Sequence, residues 1–345
     1  MINYGKQSLD DGDINEVVSA LESDWLTQGP AIDNFENGLK DYFCADYACA
    51  VSNGTAALHL AALSLNFQKR DIVLTSPITF LASANCIEYV GATTDFVDID
   101  PVNYTIDPNR LEDKIKSLLN DGKRPLGIIG VDYAGHPCDW ESLSKISEKY
   151  EMKLINDNCH ALGASYLGDK GYAVKYADIV THSYHPVKPI TTGEGGSILT
   201  NEKELYEKVK TLRSHGMTKD PKFLEKNHGP WYYEMHEIGY NYRITDFQCA
   251  LGSSQLKKLD KFTERRNEIA KKYNSFFQAQ DLITVPEKSS TVEHAYHLYP
   301  IQIHFEKLSL DKKDLFTELN NLGINPQVHY IPVHLQPYYQ KKYGF

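Results

Sequence analysis

The sequence lacks any apolar run near the roughly 20 residues that a membrane helix requires. Its start, Met1-Ile2-Asn3-Tyr4-Gly5-Lys6-Gln7, has no apolar signal core. Positive charge is not in excess either. Against 46 acidic residues stand 36 Lys and Arg, for a formal net charge of -10. No basic run or basic helical face stands out, which argues against nucleic acid as a partner and against a membrane surface. The six cysteines (Cys44, Cys49, Cys86, Cys138, Cys159 and Cys249) are scattered, with no C-x-x-C pair, so neither a disulfide scaffold nor a metal site is expected. A reduced, cytoplasmic protein is the expectation. No G-x-G-x-x-G follows an early strand, which counts against a nicotinamide oxidoreductase. Internal repeats and low-complexity stretches are also missing.

What remains is an ordinary globular composition, 41% apolar and 24% charged, over 345 residues. That length favours one large domain with a smaller one. Short apolar runs at Ala48–Ser52, Ile72–Thr75, Thr94–Val97, Gly127–Val131, Lys153–Ile155, Ile179–Ser183 and Ser197–Thr200 read as strands. Amphipathic stretches at Ala56–Leu65, Ala82–Tyr89, Pro108–Asn120, Trp140–Tyr150 and Glu202–Ser214 lie between and after them. This alternation predicts an α/β fold, a mostly parallel seven-stranded sheet between helices, occupying residues 1–244. From Thr245 the texture changes. Thr245–Asn274 reads as one long charged helix leading into a smaller α+β domain over residues 245–345. There His297–Phe305 alternates like a strand, Lys312–Leu322 is helical and Asn325–Tyr330 is extended. Asp220–Trp231, polar and punctuated by Pro and Gly, reads as a surface excursion.

Three junctions can carry chemistry, each where a ligand of such a sheet binds, beyond the carboxyl ends of strands. In Ser52-Asn53-Gly54-Thr55-Ala56-Ala57-Leu58-His59 a strand turns into a helix. Its free N–H groups and positive end can cradle a phosphate, although Thr55 could equally be a plain cap. In Ile155-Asn156-Asp157-Asn158-Cys159-His160 a strand ends in an acid, with a histidine three residues on. A carboxylate there needs a cation, such as a protonated pyridine nitrogen, unless Asp157 only caps the turn and His160 is a satisfied core residue. In His185-Pro186-Val187-Lys188-Pro189-Ile190-Thr191-Thr192-Gly193-Glu194-Gly195-Gly196 a lysine is held near two prolines and ahead of a glycine-rich turn. A desolvated amine held rigidly is suited to Schiff-base chemistry; the alternative is a surface lysine in a turn.

Together with Trp25-Leu26-Thr27-Gln28-Gly29-Pro30, Thr79-Phe80-Leu81-Ala82-Ser83 and Gly239-Tyr240-Asn241-Tyr242-Arg243, these segments resemble the DegT/DnrJ/EryC1/StrS aminotransferases, sugar-modifying enzymes of the fold-type I pyridoxal 5′-phosphate (PLP) superfamily. The likeness runs from Gly5 to about Tyr339. His185-Pro186-Val187-Lys188, Arg213-Ser214-His215-Gly216-Met217 and Gln327-Val328-His329-Tyr330 lean toward the pseudaminic-acid branch, which aminates C4 of a UDP-linked 4-keto-6-deoxy-N-acetylhexosamine with L-glutamate as donor. The resemblance implies that Lys188 carries the cofactor and moves the proton, that Asp157 pairs with the ring nitrogen and that His160 lies near the ring hydroxyl. It implies that Phe80 stacks on the ring, that Gly54, Thr55 and Ser183 hold the phosphate, and that Asn241 reaches in from the second subunit of a homodimer with shared sites. Trp25, Thr27 and Gly29 would line the sugar-nucleotide side, with Arg243 and His329 as further substrate contacts. Family members usually continue through another strand and helix, so the expectation is either a shortened gene or a variant with an incomplete small domain. Three alternatives stay open: amination of another nucleotide-linked keto-sugar at C3 or C4, a PLP-dependent sugar dehydratase, in which a histidine replaces the lysine, and a cofactor-binding sensor without turnover.

Overall fold

The computed structural model describes residues 2–344. Its centre is a sheet of seven strands in the order Tyr47–Val51, Gly196–Thr200, Ile179–Ser183, Lys153–Asp157, Pro125–Val131, Ile72–Thr75 and Thr93–Phe96. All neighbours run parallel except Gly196–Thr200, which is antiparallel to both strands beside it. The strands are short and mostly buried because both faces of the sheet are covered. Alternate residues divide between two cores. Leu74, Ile128, Leu154, Val180 and Leu199 point into one. Val73, Ile129, Ile155, Ile179 and Ile198 point into the other. The period-two alternation therefore survives as a division between two buried faces rather than between core and water.

The covering helices are α1 (Asp11–Glu22), α2 (Pro30–Phe43), α3 (Gly54–Ser64), α4 (Leu81–Tyr89), α5 (Pro108–Asn120), α6 (Trp140–Tyr150), the short α7 (Tyr172–Tyr176) and α8 (Lys203–Arg213). Their starts are set locally. Asp107 and Asp139 cap α5 and α6 through first-turn N–H groups, and Asp10 and Asp13 form a reciprocal capping box on α1. Helices α1 and α2 and a parallel pairing of Ile2–Asn3 with Ile324–Asn325 were not anticipated from the sequence.

The long helix expected over Thr245–Asn274 is two helices, α9 (Asp246–Leu256) and α10 (Leu259–Phe277). No proline or glycine marks the break. It is tertiary: Lys258 N–H donates to Gln255 in a tight turn (3.0 Å), which lets the Lys258 ammonium reach Asp13 on α1 (2.9 Å). Asp13 is 1% exposed and also accepts from Gln255 Nε2 (2.8 Å), so this buried carboxylate needs the turn where it is. The strand expected over His297–Phe305 shrinks to Gln302–Ile303, paired with Ile283–Thr284. Helices α11 (Lys312–Asn321) and α12 (Pro337–Tyr343) close the chain, and the excursion around Asp220–Trp231 is exposed.

Candidate active site

The carboxyl ends of the central parallel strands open into a cleft of about 830 Å³. Lys188, Asp157, His160, Gly54, Thr55, Ser183, Phe80 and His329 all line it. Residues separated by more than 250 positions are thus gathered by the sheet's crossovers, at the place where open α/β sheets bind ligands.

Asp157 ends its strand and is 6% exposed. Its Oδ2 accepts from Ser83 Oγ at 2.6 Å and its Oδ1 from the Cys159 N–H at 3.2 Å. No cation pairs with it among the described residues, so a buried carboxylate faces the cleft supported by neutral donors alone. Lys188 follows a turn closed by its N–H on the His185 carbonyl (2.8 Å). Its Nζ makes no hydrogen bond or ion pair with any described residue. Burial lowers its ammonium below the usual lysine range, and Cys159 and Asp157 pull weakly the other way. The amine is set up to lose its proton more easily than a surface lysine.

At α3 the Asn53 side chain takes the Ala56 N–H (2.8 Å), and Gly54 and Thr55 form the cleft-lining first turn. Gly54 is required sterically: a Cβ there would sit 2.7 Å from Ser183 Cβ. The helix end and Ser183 therefore close on one another into a small cradle, with the positive end of α3 inside it. Phe80, at the start of α4, is 54% exposed, an aromatic face on the cleft wall.

His160 is buried beneath the same cleft. Its Nδ1 accepts from the Ala134 N–H (3.3 Å), which places the proton of the neutral ring on Nε2, directed at the Tyr330 hydroxyl (3.2 Å). Burial, then the charges of Lys188 and His329, holds His160 well below the usual histidine range, so it is a neutral donor. His297 packs on its ring at 4.5 Å between centroids and is likewise neutral through burial.

Trp25, Thr27, Gly29, Asn241 and Arg243 do not line this cleft. They gather on an adjoining surface instead. Thr27 bridges Thr245, the Gly29 N–H donates to Asp246 (2.9 Å), and Asn241, exposed, bridges Ser214. Gln248 ties this surface to the cleft by donating to the Glu194 carbonyl (2.7 Å). Sequence reasoning missed Tyr4, Ser83, Tyr242, His297 and Tyr330. Ser83, Tyr242 and Tyr330 lie within segments already singled out, a visible cue; Tyr4 and His297 carry none, because only the fold brings them in.

A family model for the DegT/DnrJ/EryC1/StrS aminotransferases matches residues 7–344. The chain belongs to this family. A Campylobacter jejuni relative, UDP-4-amino-4,6-dideoxy-N-acetyl-beta-L-altrosamine transaminase, is 40% identical over 345 residues, covering 100% of this chain and 87% of the relative. Helicobacter pylori PseC, an aminotransferase of pseudaminic acid biosynthesis, superposes with a TM-score of 0.89 at 34% identity over 99% of this chain and 88% of its own. Streptococcus pneumoniae Spr1654 in its PLP form gives a TM-score of 0.87 at 30% identity, covering 98% of this chain and 87% of its own. The protein is a PLP-dependent sugar aminotransferase with a fold-type I architecture. Its residues fit the cofactor: a lone buried carboxylate, an unpaired amine, a helix-end cradle and an open aromatic face surround one space.

Proposed function

We propose that the protein transfers the amino group of L-glutamate to the C4 carbonyl of a UDP-linked 4-keto-6-deoxy-N-acetylhexosamine. The observation that carries this reading is the placement, on one cleft, of the unpartnered Lys188 amine and of the Asp157 carboxylate that no cation neutralises among the described residues. The nucleotide and the sugar come from the relatives that cover the whole chain, whose names specify a UDP-linked amino sugar. Asp157 would hold the ring nitrogen, the α3 cradle with Ser183 the phosphate, and Phe80 one face of the ring. His160 would donate its Nε2 proton toward Tyr330 and the ring-oxygen side. Bound there, pyridoxal 5′-phosphate supplies an electron-withdrawing ring that acidifies the carbon bearing the amine. Lys188 Nζ takes the α-proton of glutamate and later returns a proton to the sugar carbon, acting as base and then acid at one atom. His329 and Tyr330 close the cleft on the sugar side. The surface formed by Trp25, Thr27, Gly29, Asn241 and Arg243 is the part a second copy would complete, with Asn241 reaching the partner's cradle.

The test is the visible absorbance of the PLP-loaded protein before and after glutamate, beside Lys188→Ala. Bleaching with 2-oxoglutarate release, followed by recovery on adding the UDP-4-keto-sugar, is the expected result. Recovery with a GDP-linked keto-sugar alone would overturn the substrate assignment. A visible band unchanged in Lys188→Ala would overturn the role of the lysine.

A further inference from the structure

The floor of the cleft holds a side chain to which the reaction above gives no part. Ser83, on the first turn of α4, is fully buried, and its Oγ lies 2.6 Å from Asp157 Oδ2. A carboxylate only accepts, so the single hydroxyl proton of Ser83 is spent on Asp157. Its other neighbour, the Phe80 carbonyl, is at 3.4 Å and cannot compete. Thr79, itself 2% exposed, has its Oγ1 2.8 Å from Ser83 Oγ. With the serine proton committed, Thr79 must be the donor in that contact. The two hydroxyls form a directed chain, Thr79 to Ser83 to Asp157, ending on the carboxylate that faces the ring nitrogen.

We propose that Ser83, backed by Thr79, is a positioning residue that keeps Asp157 aimed at the ring nitrogen of the cofactor. The inference rests on the reading of Asp157 as that nitrogen's partner. Two physical effects act together. A hydrogen bond donated to a buried carboxylate is charge-assisted, short and among the stronger ones that can hold a side chain in one orientation. The bond also occupies one lone pair of Oδ2, while the Cys159 N–H restrains Oδ1, leaving the remaining lone pairs directed to the cleft. Geometry adds a third effect. Ser83 lies three residues beyond Phe80 on one helical turn, so α4 carries the ring-stacking face and the support of the ring-nitrogen partner as a single rigid piece. The far end of α4 is fixed in turn by α12, where Tyr339 donates to Asn85 (2.9 Å) and Tyr343 donates to Glu88 (2.6 Å).

The experiment compares wild type, Ser83→Ala, Ser83→Thr, Thr79→Val and Asp157→Asn by three readouts: the dissociation constant for PLP, the pH profile of the visible band, and thermal unfolding of the cofactor-free protein. Ser83→Ala should weaken PLP binding about tenfold and move the band's pH midpoint, with apo unfolding unchanged within a few degrees. Ser83→Thr, which keeps the hydroxyl, should restore binding to within about threefold, and Thr79→Val should show a smaller loss of the same kind. Adding Ser83→Ala to Asp157→Asn should have no further effect. Wild-type binding and pH behaviour in Ser83→Ala, or a full Ser83→Ala penalty persisting on the Asp157→Asn background, overturns the inference. If Asp157→Asn alone leaves both readouts unchanged, the reading of Asp157 itself fails, and the two failures are told apart.

Discussion

The central sheet and the C-terminal stretch from Ile283 onward hold their shape by different means. In the sheet, Ile128, Ile129, Ile155, Ile179, Val180 and Leu199 are all 0% exposed, and strands of four to seven residues pair in continuous ladders. In the C-terminal stretch the pairings are two residues long, and Leu322, Ile331, Leu335 and Tyr338 stand at 74%, 61%, 47% and 55% exposure. The chemistry follows this division. Asp157, Lys188, Ser183 and the α3 end grow from the rigid sheet, where a proton can be moved with fixed geometry. His329 and Tyr330 come from the looser stretch and are brought over the cleft by loop. On the proposed function, the reacting groups sit where the fold is tightly packed, and the wall assigned to the sugar sits where it is not.

The sharpest way to break this division is at the amine. Lys188→Ala should lower turnover by about 10³–10⁴-fold while leaving unfolding within a few degrees of wild type, since the side chain makes no tie to the fold. Steady-state rates beside a melting curve check it. Turnover within tenfold of wild type would remove the sheet's claim to the chemistry.

Next in size is the packing contrast. Ile155→Ala empties a site enclosed on both faces and should cost about 2–5 kcal/mol. Leu322→Ala, on the exposed side of the C-terminal stretch, should stay within about 0.5 kcal/mol. Denaturant titration of both variants measures the difference, and equal losses would erase the comparison.

Asp132 supplies a prediction with a sign. Fully buried at the end of its strand, it accepts from Cys138 N–H (2.8 Å), Trp140 Nε1 (2.9 Å), Asn158 Nδ2 (2.8 Å) and Tyr172 OH (2.8 Å). Its own N–H donates to the Asp157 carbonyl (3.1 Å), so this cluster braces the cleft floor from behind. Burial outweighs the four donors and raises its carboxyl to about 6. The folded protein therefore holds a proton that the unfolded chain, with an aspartate near 3.9, gives up. This group's contribution to stability falls as pH rises from about 4 to 6, by about 3 kcal/mol in all. Subtracting the stability curve of Asp132→Asn from that of wild type should reveal this downward slope. A difference curve flat over that window refutes it.

Much of this was readable in the sequence, and the division of regions explains what was not. The seven strands are local events, set by short apolar runs, whereas the cap of α3 is Asn53 and not the Thr55 that the sequence offers. Lys188, Asp157 and Gly54 announce themselves because each sits at a junction with an unusual residue. Ser83 and Asp132 do not. A serine in a helix and an aspartate after a strand are ordinary until the crossovers bring Asp157 beside the one and Tyr172 beside the other. The break at Lys258 was hidden for the same reason, since its cause lies about 250 residues away on α1. In the C-terminal stretch the alternation over His297–Phe305 overstates the strand, because only Gln302–Ile303 finds a partner.

The smallest effect probes the seam between the two regions. Tyr133, from the loop after a sheet strand, donates its hydroxyl to the His329 carbonyl, joining the rigid floor to the loop that carries the substrate-side wall. Its ring packs edge-on to Tyr104 (6.2 Å between centroids) and to Tyr330 (6.4 Å). Tyr133→Phe keeps those ring contacts and removes only the tie. The loss in stability should be about 1 kcal/mol, the ordinary worth of one hydrogen bond. The kinetic effect should be lopsided. On the proposed function, the glutamate half-reaction assigned to Lys188 and Asp157 should keep its rate within about twofold, while KM for the keto-sugar rises several-fold because the His329–Tyr330 wall is less well held. Single-turnover bleaching by glutamate and steady-state titration of the sugar separate the two. Equal slowing of both half-reactions would show that floor and wall behave as one body, and that the loose stretch is as much a part of the catalytic frame as the sheet.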